Sequence, residues 1–259
     1  YRITGKEKHR TAILNFADCV LEDDFTVIGS AGCTHELFDH STVRPANPDR
    51  GDPRVQETCV TVTWMKLCYQ VLCLTGEAAF ADHIEQSIFN ALIGAVNSDN
   101  VTANGGLPFD SYSPLLPGLR GRKTGGYKIM ENGAFYGCCA CIGAAGLGLI
   151  GMSAVSAAKD GLYVNLFLNG TVKALTPADR PLTIETATAY PTGGTVRMTI
   201  GLNAPERFTL GVRIPAWSEK TALSVNGEPV SVKPGDYARL NREWKDGDAV
   251  LLTLDLRVM

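Results

Sequence analysis

Hydrophobic positions recur along this chain at two different periods, and the change of period divides it. Ile13, Phe16, Ala17, Val20 and Leu21 stand at helical spacing. So do Val60, Trp64, Leu67, Cys68, Val71 and Leu72 within residues 55–75, and Phe80, Ile84, Ile88 and Leu92 after Gly76. Each set predicts an amphipathic helix, with Gly76 placed to stop the second. A fourth helix is predicted from Cys138-Cys139 to about Ala158, a run without a charged residue. Its Gly, Ala, Ser and Cys content reads as a buried helix, because a membrane span needs about 20 mainly large apolar residues.

After Lys159-Asp160-Gly161 the period becomes two. Leu162, Val164, Leu166 and Leu168 alternate with Tyr163, Asn165 and Phe167, and Asn169-Gly170 turns the chain. Further strands are predicted near 182–189, 194–201, 207–214, 221–225, 228–232, 237–241 and 248–256, separated by Pro, Gly, Asn and Asp. This is the pattern of an antiparallel β-sandwich. Between residues 96 and 136 no period survives, and Gly105-Gly106, Pro117-Gly118 and Gly125-Gly126 mark a long loop of the kind that carries function. The expected organisation is a helical region over 1–159 and a β-sandwich over 160–259.

Composition excludes more than it assigns. Lys and Arg total 24 against 27 for Asp and Glu, a net charge of −3, so no basic face is available for nucleic acid. The chain opens at Tyr1 without a leader and stops inside a strand-like run at Leu256-Arg257-Val258-Met259, so both ends are expected to be cuts. The eight cysteines stand at 19, 33, 59, 68, 73, 138, 139 and 141, and none follows. Such clustering points to local chemistry rather than a disulfide framework, with thiols kept reduced in a cytoplasmic or periplasmic setting.

Cys19, Cys68 and Cys73 read as small core residues of apolar helices. Adjacent Cys138 and Cys139 do not, because neighbours in a helix point in different directions and cannot fill one hole. With Cys141 they put three thiols in the first turn of a helix, whose positive end favours thiolate. Glu57-Thr58-Cys59 offers a carboxylate and a thiol at the start of another helix. Brought together, Glu57, Cys59, Cys138 and Cys139 supply soft sulfur and one hard oxygen, a set suited to four-coordinate zinc. Two other readings use the same residues: a thiol redox protein built on Cys138 and Cys141, and a non-catalytic carbohydrate-binding protein with a structural zinc.

Gly29-Ser30-Ala31-Gly32 followed by His35-Glu36-Leu37-Phe38, then Glu57-Thr58-Cys59, then Cys138-Cys139, stand in the order found in glycoside hydrolase family 127. Phe89-Asn90-Ala91-Leu92, Arg213-Ile214-Pro215-Ala216-Trp217, Val225-Asn226-Gly227 and Arg242-Glu243-Trp244 extend the similarity over nearly the whole chain. The chain therefore resembles the zinc-dependent β-L-arabinofuranosidases. The resemblance implies an α+β multidomain fold, the C-terminal part of an (α/α)6 catalytic barrel followed by the β-sandwich. It implies Zn2+ held by Glu57, Cys59, Cys138 and Cys139, with Cys138 also the nucleophile and Glu36 the general acid/base of a retaining hydrolysis. The implied partner is a carbohydrate, an arabinoside of plant type. The chain differs from the family pattern after the paired cysteines, where Ala140-Cys141-Ile142 replaces prolines and an asparagine, which leaves Cys141 as an alternative to Cys139. His35 and a wall of Tyr112, Tyr127 and Tyr136 are further candidates for sugar contact, while His9, His40 and His83 read as surface histidines.

Overall fold

The computed structural model of the chain describes residues 1–32, 56–96, 115–116, 119–120, 128–129, 135–136 and 138–257. Its helices are α1 (Glu7–Cys19), α2 (Thr58–Thr75), α3 (Ala78–Gln86), the single turn α4 (Ile93–Ala95) and α5 (Cys138–Ala154). π-Helical segments Val20–Asp24 and Ser87–Leu92 follow α1 and α3. Short antiparallel ladders join β1 (Leu115–Leu116) to β2 (Leu119–Arg120) and β3 (Lys128–Ile129) to β4 (Phe135–Tyr136), inside the stretch read from sequence as a loop. The chain divides into two compact units, Tyr1–Thr75 with His83–Ile150, and Gly76–Asp82 with Gly151–Met259.

The first unit is organised on α2. Val60, Val62, Trp64, Met65, Cys68, Val71 and Leu72 are all buried, so this helix is apolar around most of its circumference rather than along one face. Trp64 packs against Phe25 at 5.5 Å and against His83 at 6.1 Å between ring centroids. His83 is therefore an aromatic packing partner and not the surface histidine expected from its isolation in sequence. Cys68 is buried as expected, but Cys19 and Cys73 are exposed, on the outer faces of their helices.

Small residues let α5 approach. A Cβ at Gly146 would stand 2.7 Å from Val62 Cγ2 and 3.0 Å from Leu92 Cδ1, so a larger residue there would push α5 off α2 and the Ser87–Leu92 segment. Gly143, Gly146 and Leu149 are buried while Leu147 and Met152 are exposed. α5 thus buries one stripe rather than its whole surface. The turn 26–30 crosses close to the second π-helical segment, where the Ser87 hydroxyl donates to the Gly29 carbonyl at 2.6 Å and the Ala91 N–H to the Ile28 carbonyl at 3.1 Å. Donors drawn out of a helical ladder in this way accompany its local widening.

The second unit contains β5 (Val155–Ala158), β6 (Gly161–Val164), β7 (Gly170–Leu175), β8 (Pro181–Thr188), β9 (Thr195–Leu202), β10 (Glu206–Ile214), β11 (Ala222–Val225), β12 (Glu228–Val230), β13 (Asp236–Trp244) and β14 (Ala249–Thr253). They form a four-stranded sheet in the order β13-β10-β6-β5 and a six-stranded sheet in the order β12-β11-β14-β9-β8-β7. Period-two burial is plain in β9, where Val196, Met198, Ile200 and Leu202 point inward. Inward residues of both sheets join one hydrophobic cluster, which includes Leu162, Ile184, Leu210, Val225, Trp244 and Val250. Trp244 is fully buried and donates its indole N–H to the Phe208 carbonyl at 3.2 Å.

Three features depart from the sequence reading. α5 stops at Ala154, and residues 155–158 form a strand, because the Asn165 backbone and side chain take the carbonyls of Ala154 and Ser153. β6 and β10 run parallel, which alternation of side chains cannot reveal, since it reports faces and not strand direction. β7 went unseen because it is an edge strand with little burial and therefore little pattern.

Candidate metal centre

Two helix beginnings build the centre. The Thr61 N–H donates to the Glu57 carbonyl at 3.0 Å, so Glu57 stands at the N-cap of α2 and Cys59 in its first turn. Cys138 and Cys139 open α5. Cys59 Sγ and Cys139 Sγ, 80 residues apart in sequence, lie 3.5 Å from each other. Glu57 Oε1 lies 3.3 Å from Cys139 Sγ and 4.0 Å from Cys138 Sγ. One ligand atom from each of Glu57, Cys59, Cys138 and Cys139 falls within 4.8 Å of all the others. Glu57 and Cys139 are buried, whereas Cys59 and Cys138 are half-buried. Cys59 and Cys138 thus combine partial access with membership of the group.

Crowding governs the electrostatics. Burial, then the neighbouring Cys59, pushes the Cys138 thiol above its ordinary range. The hydrogen bond with Cys59, then burial, pushes Cys139 far higher, with Glu57 adding repulsion. The sequence alone suggested the opposite direction, from the field of a helix start. Here burial and the hydrogen bond with Cys59, with repulsion added, outweigh that field, so Cys138 and Cys139 hold their protons at neutral pH unless a cation neutralises the group. Four buried or half-buried acidic donors at this spacing form a possible metal-binding group.

The other sequence candidates fall elsewhere. Cys141 is exposed and is not part of that group of four, which includes Cys139. Glu36, His35 and His40 lie outside the described residues, as do Tyr112 and Tyr127, while Tyr136 is described only as part of β4. His9 is exposed on α1. Sequence reasoning missed Gln56, Thr26 and Thr61, buried polar residues linked to one another near the start of α2, and took Ser30 only as part of the Gly29–Gly32 motif. Only their proximity to Glu57-Thr58-Cys59 in the chain hinted at Gln56 and Thr61, and nothing hinted at Thr26.

No described helix is long and apolar enough to cross a membrane. Residues 1–143 match the family model described as "Beta-L-arabinofuranosidase, GH127 catalytic domain", and residues 161–256 match that described as "Beta-L-arabinofuranosidase, GH127 middle domain". A non-reducing end β-L-arabinofuranosidase of Bifidobacterium longum subsp. longum is 26% identical over 248 residues, covering 90% of this chain and 35% of the relative. The crystal structure of a GH127 β-L-arabinofuranosidase from Geobacillus stearothermophilus T6 superposes with a TM-score of 0.70 at 24% identity, covering 93% of this chain and 37% of that one. A structure described as a glycoside hydrolase gives 0.58 at 27% identity, covering 77% and 33%. The chain thus spans about a third of the length of the proteins it matches, and its mixed α/β architecture is similar to theirs. With the catalytic-domain model alone matching more than half of its residues, the chain belongs to glycoside hydrolase family 127, the β-L-arabinofuranosidase family.

Proposed function

We propose that the chain is part of a zinc-dependent retaining glycoside hydrolase that cleaves β-L-arabinofuranosides or a closely related sugar. The observation that carries this reading is the convergence of Glu57, Cys59, Cys138 and Cys139 within 4.8 Å. Zinc bound tetrahedrally at about 2.3 Å from sulfur requires sulfur atoms about 3.8 Å apart. The 3.5 Å Cys59–Cys139 spacing is close to that, so only small side-chain rotations separate this geometry from a zinc site. The fold in this reading is the C-terminal portion of an (α/α)6 barrel over 1–159 and a β-sandwich over 160–259.

Zinc, when bound, would keep Cys138 deprotonated at neutral pH and lower its basicity, so that the sulfur can later depart. Cys138 Sγ attacks the anomeric carbon as the bond to the leaving oxygen breaks, and Glu36 gives that oxygen a proton. Glu36 then takes a proton from water, the water oxygen attacks the same carbon, and the C–S bond breaks. Two inversions give net retention. Glu57, Cys59 and Cys139 hold the centre while Cys138 reacts.

Metal content of the purified full chain tests the reading. Near-stoichiometric zinc is expected in the parent, with a marked loss in Cys59→Ser, which removes one of the three sulfur donors. A metal-free parent holding a Cys138–Cys141 disulfide would favour redox chemistry instead. Zinc in a parent unable to turn over any arabinofuranoside would favour the structural-metal reading.

The raised thiols also set a pH dependence. A donor whose pKa lies above its ordinary value binds a proton at neutral pH, and the metal must displace it. Affinity therefore rises with pH and falls on acidification. Chelator competition between about pH 6 and about pH 8 is expected to show close to ten-fold tighter binding per pH unit for each thiol deprotonated. Affinity constant across that interval would mean that the thiols are not the ligands.

A further inference from the structure

Gln56, the residue before Glu57, has two unusual features. Its backbone is left-handed, with φ of 55°, a conformation uncommon outside glycine and asparagine. Its side chain is fully buried, and Nε2 has no hydrogen-bond partner among the described residues. Left-handed backbone and a buried amide donor without an acceptor both oppose folding, and such outliers concentrate where a functional geometry must be held.

The surroundings indicate which geometry. The Thr26 hydroxyl accepts from the Ser30 N–H at 3.2 Å and shares its one proton between the Ser30 carbonyl, at 3.1 Å, and Gln56 Oε1, at 3.5 Å. Ser30 Oγ lies 2.9 Å from Thr61 Oγ1, and Thr61 returns to the Glu57 carbonyl through both its hydroxyl, at 3.2 Å, and its N–H, at 3.0 Å. Thr26, Ser30 and Thr61 are as buried as Gln56. A closed circuit of buried polar groups therefore runs from Gln56 through the 26–30 turn and back to Glu57.

We infer that Gln56 is a positioning residue, whose left-handed backbone and Thr26-anchored side chain aim the Glu57 carboxylate at the metal. The inference rests on the metal reading given above. The left-handed torsion sets the direction from which the chain enters α2, and the Gln56 side chain ties the start of that helix, where Glu57 stands, to the 26–30 turn. Partners that orient a ligand typically affect metal affinity by about 10-fold to 100-fold.

Gln56→Ala removes the amide and keeps the backbone penalty, while Gln56→Gly removes the amide and relieves it. Zinc affinity of the full chain by chelator competition is expected to fall by about 10-fold or more in Gln56→Ala and by less in Gln56→Gly. The d–d bands of the cobalt-substituted protein should shift in both, because they report ligand geometry. A residue that merely supports folding would lower the melting temperature and leave those bands in place. Parental affinity and unchanged cobalt bands in Gln56→Gly, the variant least prone to misfold, would overturn the inference. A parent chain that binds neither metal would remove the metal reading itself, and the parental control distinguishes the two failures.

Discussion

On the function proposed above, replacing Cys138 by alanine is expected to lower kcat on a β-L-arabinofuranoside by about 10⁴-fold or more, the scale on which loss of a covalent nucleophile is felt. Cys138 is one of two half-buried thiols of the group, with Cys59, and it is the one proposed above as the nucleophile. In the variant Glu57, Cys59 and Cys139 remain, so at saturating zinc the protein should still hold metal and melt near the parental temperature. Azide offers a further readout, since a small anion able to enter the space left by the thiol should restore partial turnover with a glycosyl azide as product. Normal turnover would sink the nucleophile assignment. Lost turnover together with lost metal would assign Cys138 to structure alone.

How far the centre could be read beforehand depended on which interactions are local. Cys138 next to Cys139 is visible as an anomaly in any string, because two neighbouring thiols cannot share one packing role. Glu57-Thr58-Cys59 was visible because α2 begins there. What brings the two segments together is the bare surface at Gly146, and its small-residue run is also legible, although Val62 and Leu92 as the surfaces it meets are not. The left-handed Gln56 left no trace, since glutamine has no preference of its own for that conformation. The thiol pKa direction was read the wrong way for a similar reason. A helix start is a local feature, whereas burial, the largest cause for Cys138, and the hydrogen bond with Cys59, the largest for Cys139, arise only when a different helix packs against it.

The same division between local and distant causes holds in the sheets. Strand positions from β8 to β14 followed from alternation and turn residues to within a few positions. The end of α5 did not, because Asn165 captures the Ser153 and Ala154 carbonyls from 12 and 11 residues along the chain. Nor did the parallel pairing of β6 with β10, whose partners are 48 residues apart, as in Leu162 with Leu210. Exposed Cys19 and Cys73 carry the complementary lesson, that a cysteine in an apolar helix can face outward at no visible cost.

The second large effect is on stability and concerns Arg213, which lies within β10. Its side chain is fully buried, a placement that a charged group tolerates only when its donors are taken. Nε donates to the Asn165 carbonyl at 2.5 Å, Nη1 pairs with the Asp82 carboxylate, and the guanidinium lies 5.1 Å from the Phe167 ring centroid. Asp82 in turn accepts from the Ala216 N–H at 3.1 Å, and Asn165 accepts from the Tyr237 hydroxyl at 2.5 Å. One guanidinium therefore meets groups from two separate stretches of chain, at residue 82 and at residues 165–167. Arg213→Met keeps much of the aliphatic volume but leaves the Asp82 charge and the Asn165 carbonyl without their donor. The expected loss is about 3–5 kcal/mol, the scale of breaking one side of a buried pair. For a chain of this length that corresponds to a melting temperature lower by roughly 10 °C. Asp82→Leu combined with Arg213→Met should recover part of the loss, because the uncompensated charge disappears with its partner. A single variant that melts within about 2 °C of the parent, less than 1 kcal/mol by the same scaling, would show that the buried guanidinium is dispensable to the second unit.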